Sequence, residues 1–282
     1  MLRWYGYAGL VLIVLAQLNF LARVEPFATF YIPIVWYGYI LFVDSLVYRI
    51  KRRSLIASYP KEFLFLMVLS VPFWSIFEAY NIFTLSWLYV NYVGYGHLLD
   101  FTTIMPAVLE TFSLLTALRI GGIFDIKKRI ASKGKWGKEN ERFYINIIRL
   151  VVVFGAIMAL VPFIVPAIGF PFMWIGLFLF LDPLNYLIGR PSIAQKISVG
   201  KRSVVLRLFM SGIIMGFFWE FWNYQAYPKW FYTLSYLVPS VKLFEMPLVG
   251  YLGYLPFALE VFVFYALFRS FVFKKGNDVL DI

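Results

Sequence analysis

Eight stretches of about twenty mostly apolar residues run through this chain, each long enough to cross the hydrocarbon core of a bilayer as a helix. They lie at 4–22, 27–48, 62–81, 101–120, 145–164, 167–188, 204–224 and 248–271. No other feature limits the fold as strongly. Hydrocarbon offers no hydrogen bonds, so a spanning backbone must satisfy its own N–H and C=O groups, which a helix does within one segment. Only 15% of the residues are charged and 62% are hydrophobic, whereas a soluble domain is about 25% charged. The expected fold class is all-α: a polytopic membrane protein with about eight transmembrane helices. Two aromatic stretches, 82–100 and 225–247, are broken by Gly, Pro, Asn and charges. They read as interfacial or re-entrant connectors.

The net charge of +11 raises the question of a nucleic-acid partner, and the placement of the basic residues answers it. With the N-terminus inside, 23 of the 26 Lys and Arg fall on inner segments, leaving Arg23, Lys229 and Lys242 outside. That split follows the positive-inside rule. It expects both termini in the cytoplasm and the plasma membrane of a prokaryote as the location. It also accounts for the charge without nucleic acid. The most basic segment, 121–142, can touch anionic lipid headgroups.

Rare polar residues recur in the two halves, in the same order. Trp36, Gly38 and Asp44 match Trp174, Gly176 and Asp182. Glu78-x-x-Asn81 matches Glu220-x-x-Asn223, Trp87-x-Tyr89 matches Trp230-x-Tyr232, and Pro106-x-x-x-Glu110 matches Pro256-x-x-x-Glu260. Four spans per half give both halves the same orientation, related by an axis along the membrane normal. The expected organisation is a 4+4 parallel internal duplication: a first four-helix repeat at 1–120, a basic cytoplasmic linker at 121–144, a second repeat at 145–273 and a cytoplasmic tail at 274–282.

Leaving aside Glu62 at the very start of the third span, six of the 15 acidic residues lie within the spans, as three matched pairs: Asp44 and Asp182, Glu78 and Glu220, Glu110 and Glu260. A carboxyl group in hydrocarbon is costly and marks a functional site by default. The alternative is a buried structural acid held by a hydroxyl, an amide or the backbone. Glu110 and Glu260, nearest mid-membrane, are the first acid/base candidates, with Glu78 and Glu220 beside them near the outer rim. Asp44 and Asp182 sit near inner helix ends, with Tyr48 and Tyr186 one turn on, where each phenol can reach its aspartate. Pro106 and Pro256 each free a carbonyl four residues back and can open a polar kink.

Trp, Tyr and Phe concentrate at 73–95 and 217–236. Interfacial belts explain much of this. The run Phe217-Phe218-Trp219-Glu220-Phe221-Trp222-Asn223-Tyr224 is denser than a belt needs, and aromatic faces also stabilise cations. Trp219, Trp222, Asn223, Asn81, Trp230, Trp87, Asp44 and Asp182 are therefore the candidate substrate-binding residues. The chain has no cysteine and a single histidine, His97, so no metal site is expected; His97 reads as a rim or hydrogen-bonding residue. No nucleotide-binding or zinc motif occurs, and no Asp-rich pair suits a magnesium diphosphate. No cofactor is expected.

Trp219-Glu220-Phe221-Trp222-Asn223-Tyr224, then Trp230-Phe231-Tyr232, then Gly250-Tyr251-Leu252-Gly253-Tyr254-Leu255-Pro256-Phe257-Ala258-Leu259-Glu260 resembles the integral-membrane lycopene cyclases of the heterodimeric or fused type. About 50 residues of each half carry this resemblance. The family has an acidic pair two and three residues after its proline, where this chain has one glutamate four residues after. The family has about three spans per half, where this chain has four. The resemblance implies protonation of a polyene double bond, ring closure through a carbocation and loss of a proton, with Glu110, Glu260, Glu78 and Glu220 as acid/base groups. It implies an apolar isoprenoid or carotenoid-like lipid as the substrate of a cyclase or isomerase. A parallel-repeat transporter with Glu110 and Glu260 coupling protons, and a non-catalytic membrane accessory protein, are the alternatives.

Overall fold

The computed structural model describes residues 1–92, 96–126, 138–234 and 241–273. The expected tail at 274–282 and the middle of the basic linker, 127–137, lie outside the described residues. The helices are α1 (Trp4–Ala22), α2 (Tyr31–Lys51), α3 (Leu55–Ser58), α4 (Pro60–Thr84), α5 (Gly96–Ala117), α6 (Lys138–Ile164), α7 (Gly169–Met173), α8 (Gly176–Leu187), α9 (Ile193–Ser198), α10 (Ser203–Gln225) and α11 (Tyr254–Val272). The strands are β1 (Trp87–Val90), β2 (Lys229–Tyr232), β3 (Lys242–Leu243) and β4 (Met246–Pro247). Seven helices are long and apolar enough to cross a membrane, and eight if the bent pair Pro166–Met173 and Gly176–Leu187 forms one span. This is the build of a multi-pass membrane protein.

Two helices are peripheral. Only 11% of the apolar window of α6 and 22% of that of α1 is buried, against 67% for α2 and α5. Leu150, Phe154 and Ile157 of α6 stand exposed, a surface that lipid tails solvate and water does not. Of the peripheral helices, α1 packs on α2 and α6 packs mainly on α8, with further contact to α7 and α4, while α5 and α11 pack against α4, α10 and each other. Small residues set both peripheral crossings. A Cβ on Gly9 would stand 2.5 Å from the Gly38 carbonyl oxygen, and one on Gly155 would stand 2.3 Å from the backbone of Leu179 and Phe180.

The structure departs from the sequence reading at three places. The connectors hold strands: β1 pairs antiparallel with β2, with Trp87 opposite Tyr232 and Tyr89 opposite Trp230. The sixth span is bent by 45° between α7 and α8. The chain turns at Trp174 and Ile175 before α8 restarts at Gly176. The fourth span begins at Gly96, about one turn earlier than the expected 101, which places His97 and Asp100 on α5.

Ser70 of α4 repairs the backbone ladder of α5 ahead of Pro106. Its hydroxyl donates to the Phe101 carbonyl and accepts from the Met105 N–H at 3.0 Å. Pro256 falls in the first turn of α11, where the missing N–H leaves nothing unpaired and no kink is required. At the opposite end of the bundle from the β1–β2 ribbon, Glu62 of α4 pairs with Arg269 of α11 and accepts the Tyr265 hydroxyl. Both ions are buried.

Candidate aromatic pocket

The ribbon is held by two asparagines, one at the end of each helix that leads into it. Asn81 Oδ1 accepts the Trp87 N–H at 3.0 Å and its Nδ2 donates to the Trp87 carbonyl at 2.9 Å. Asn223 does the same to Trp230, at 2.9 Å for both bonds. A side-chain amide offers both a donor and an acceptor, so each asparagine fixes the start of a strand where the helix lets it go.

With the strands placed, their side chains come into line. The Trp87 indole N–H donates to the Tyr89 oxygen at 3.1 Å, and the Tyr89 phenol donates to Glu78 Oε1, which also accepts the Trp74 indole N–H at 2.7 Å. In the second half the Trp230 indole donates to the Tyr232 oxygen at 3.2 Å, and Tyr232 donates to Glu220 Oε1 at 2.6 Å. Tyr254 of α11 adds a second donor to Glu220 Oε1 at 2.7 Å. Burial, followed by the neighbouring carboxylate, pushes the Tyr89 and Tyr232 phenols well above their ordinary range, so both stay protonated and act as donors.

The tryptophans and tyrosines of these chains of bonds face a narrow pocket with a cavity volume of about 40 Å³. Trp36, Trp74, Trp87, Trp174, Trp219 and Trp230 wall it, and Tyr89, Tyr92, Tyr232 and Tyr254 complete the rim. The rings pack in series: Trp174 stacks on Phe77 at 5.1 Å, Phe77 on Trp74 at 5.3 Å, and Trp74 meets Trp219 at 5.3 Å. Rings locked against one another form a rigid apolar wall.

The residues singled out from the sequence separate into distinct places. Trp87, Trp219 and Trp230 line the pocket. Glu78 and Glu220 stand one hydrogen bond behind Tyr89 and Tyr232. Asn81 and Asn223 hold the ribbon, and Trp222 is buried edge-on to Trp36 at 4.6 Å. Asp44 and Asp182 serve the short helices α3 and α9. Asp44 accepts the Ile56 N–H at 2.8 Å, the Ser54 hydroxyl at 2.8 Å and the Tyr5 phenol at 2.6 Å. Asp182 accepts the N–H groups of Ile193 and Ala194 at 2.5 and 3.1 Å. The phenol that reaches Asp44 thus comes from Tyr5. Tyr48 instead lies under the Arg3 guanidinium at 4.8 Å, and Tyr186 is exposed.

Glu110 and Glu260 are fully buried away from the pocket lining. Glu110 has Asp44 as its neighbouring carboxyl. Glu260 lies beside the backbone N–H groups of Leu177 and Phe178, in the first turn of α8. The break in the sixth span leaves those N–H groups without helical partners, and a carboxyl group suits the positive end of the helix dipole.

Sequence reasoning passed over Asp100, which sits just outside the span assigned to its segment. Asp100 lines the pocket, is 9% exposed, and accepts the Tyr92 phenol at 3.1 Å. The His97 ring stacks on Tyr92 at 3.7 Å and stands edge-on to Tyr89 at 4.4 Å. Among the described residues no group of three or more His, Asp or Glu is placed to hold a metal ion. Compared with protein-family models, curated proteins and solved structures, the chain matches none.

Proposed function

We propose that this chain is an integral-membrane enzyme that acts on an apolar isoprenoid or carotenoid-like lipid by acid/base chemistry. The observation that carries the reading is the pair of tyrosine–glutamate hydrogen bonds facing one tryptophan-walled pocket, Tyr89–Glu78 and Tyr232–Glu220. With Glu78 as the carboxylic acid, its proton passes through the Tyr89 phenol to a double bond and leaves a cation on carbon. Indole faces attract such a charge, and Tyr232 passes a proton from the adjacent carbon to the Glu220 carboxylate, after which proton exchange with solvent resets both carboxyl groups. That sequence is a cyclisation or isomerisation, with no net gain or loss of atoms. Glu78 and Glu220 are the acid/base groups in this reading, while Glu110 and Glu260 lie buried outside the pocket lining.

We further propose that the two halves are a parallel duplication with both termini in the cytoplasm of a prokaryotic cell and the ribbon at the outer face. Exchanging the halves turns the Trp87–Tyr232 pair of the ribbon into Trp230–Tyr89, which is also one of its pairs. The asparagine clamps, the Trp–Tyr–Glu relays and the Asp44 and Asp182 caps match in the same way.

The test is expression in cells that accumulate lycopene, with pigment chromatography, and incubation of the purified protein with shorter polyprenes. A new product that disappears in Glu220→Gln and Tyr232→Phe is the expected result. Unchanged pigments remove lycopene as substrate, and no product from any polyprene removes the reading. One observation favours transport instead: a broken helix with a buried glutamate beside its N-terminal end, as in transporters with discontinuous helices. Uptake into vesicles driven by a pH gradient and abolished by Glu260→Gln would establish that alternative.

A further inference from the structure

The pocket has two unlike walls, and they describe the ligand more closely than its apolar lining does. The first half contributes Tyr89, Tyr92, His97 and Asp100, and the second contributes Tyr232, Tyr254, Met246 and Gly250. At the matching offset from Asp100 stands Gly250, so one wall carries a carboxyl group where the other carries none. Asp100 Oδ2 accepts from Tyr92 at 3.1 Å, but Oδ1 has no partner among the described residues. Trp174 is 8% exposed, also lines the pocket, and its indole N–H has no partner either. Phe77 and Trp74 stack between Trp174 and the α5 wall. A buried polar atom without a partner costs free energy, and among the described residues only Asp100 and Trp174 carry such an atom in the pocket lining. Here a bare acceptor and a bare donor share one apolar slot.

Three ligand classes fit this slot poorly. A phosphate, diphosphate or carboxylate would find no Lys or Arg in the lining, the usual partners of such groups. A pure hydrocarbon would leave both bare atoms unsatisfied. An ammonium group would suit Asp100 and the rings but offers no acceptor to Trp174. A neutral lipid with a hydroxyl to donate at Asp100 and an oxygen to accept at Trp174 suits both.

We propose that the pocket binds a neutral, oxygenated isoprenoid, with Asp100 accepting the proton of a hydroxyl at one end of the lipid. Asp100 is then a specificity-determining residue, and Trp174 is the donor to an oxygen of the same lipid. This rests on the isoprenoid reading above and narrows its substrate class from hydrocarbons to alcohols.

The experiment uses the purified full-length protein in detergent. Binding is read as energy transfer from the pocket tryptophans to polyenes of one skeleton: retinol, the corresponding hydrocarbon axerophthene, retinylamine and retinyl phosphate. Retinol is expected to bind about tenfold more tightly than axerophthene, the equivalent of one hydrogen bond. Asp100→Leu, which removes the acceptor and keeps the bulk, is expected to erase that preference while leaving axerophthene affinity unchanged. If Asp100→Leu loses both ligands, the smaller Asp100→Ala decides: loss of the alcohol preference with axerophthene still bound supports the proposal, and retention of the preference overturns it. Equal affinity for retinol and axerophthene in the unaltered protein overturns the hydroxyl assignment and leaves the isoprenoid pocket standing. Tighter binding of retinylamine or retinyl phosphate overturns it in favour of a cationic or anionic lipid. Failure of all four probes to bind rejects the isoprenoid reading itself.

Discussion

Trp87 and Tyr232 face each other across the β1–β2 ribbon, although 145 positions of chain separate them. Their pairing closes the end of the bundle and brings two relays to one pocket. Trp87 donates to Tyr89, and Tyr232 donates to Glu220. The ribbon lets one half of the chain position pocket side chains of the other.

The ribbon depends on its asparagines. Asn223 is fully buried and makes two bonds to Trp230. Asn223→Ala leaves a buried N–H and a buried carbonyl without partners, at a cost of about 2–4 kcal/mol. Thermal unfolding in detergent should show a large drop in Tm, with a smaller one for the partly exposed Asn81→Ala.

The acid/base assignment separates residues that look equivalent in the sequence. Glu220→Gln and Tyr232→Phe should each lower product formation by about 10²–10⁴, the usual contribution of general acid–base catalysis. Glu110→Gln should stay within a few-fold of the unaltered protein. Equal losses at Glu110 and Glu220, in proteins with unchanged unfolding curves, would contradict the placement of the chemistry.

Glu62 and Arg269 form a buried ion pair between α4 and α11. Arg269→Met leaves a buried carboxylate without its counter-ion and should cost about 3–5 kcal/mol. Adding Glu62→Leu should recover most of that loss, because the uncompensated charge, more than the missing attraction, is what destabilises. Denaturation of the single and double variants measures the recovery.

At the α1–α2 crossing, a Cβ on Gly9 would meet the Gly38 carbonyl oxygen at 2.5 Å. Gly9→Val should force the helices apart and cost about 1–3 kcal/mol, read as a lowered Tm. Exposed Val11 and Val14 on the same helix should tolerate Leu with almost no change.

The spans were legible in the residue string because crossing hydrocarbon is a local demand. Each segment must be long, apolar and internally hydrogen-bonded, and seven helices satisfy this individually. The bend at Trp174 was less legible. Proline is common in membrane helices, and only the structure shows the helix interrupted at Trp174 and Ile175. The acids were legible as a class but not in their roles. Glu78, Glu110, Asp182 and Glu220 each read as a carboxyl in a span, yet one bonds a pocket tyrosine, one faces Asp44, one caps α9 and one is held by two phenols.

The sequence alone therefore determined that the chain is a bundle of long apolar helices and which segments form most of it, because burial in lipid is decided segment by segment. Tertiary structure decided which of their polar residues meet. Asp100 joined the pocket through an earlier start of α5, and Tyr232 reached the Trp87 wall through a pairing across the whole chain. Hydrogen bonds of a few ångströms depend on where distant segments come to rest, and no local pattern of residues encodes that distance.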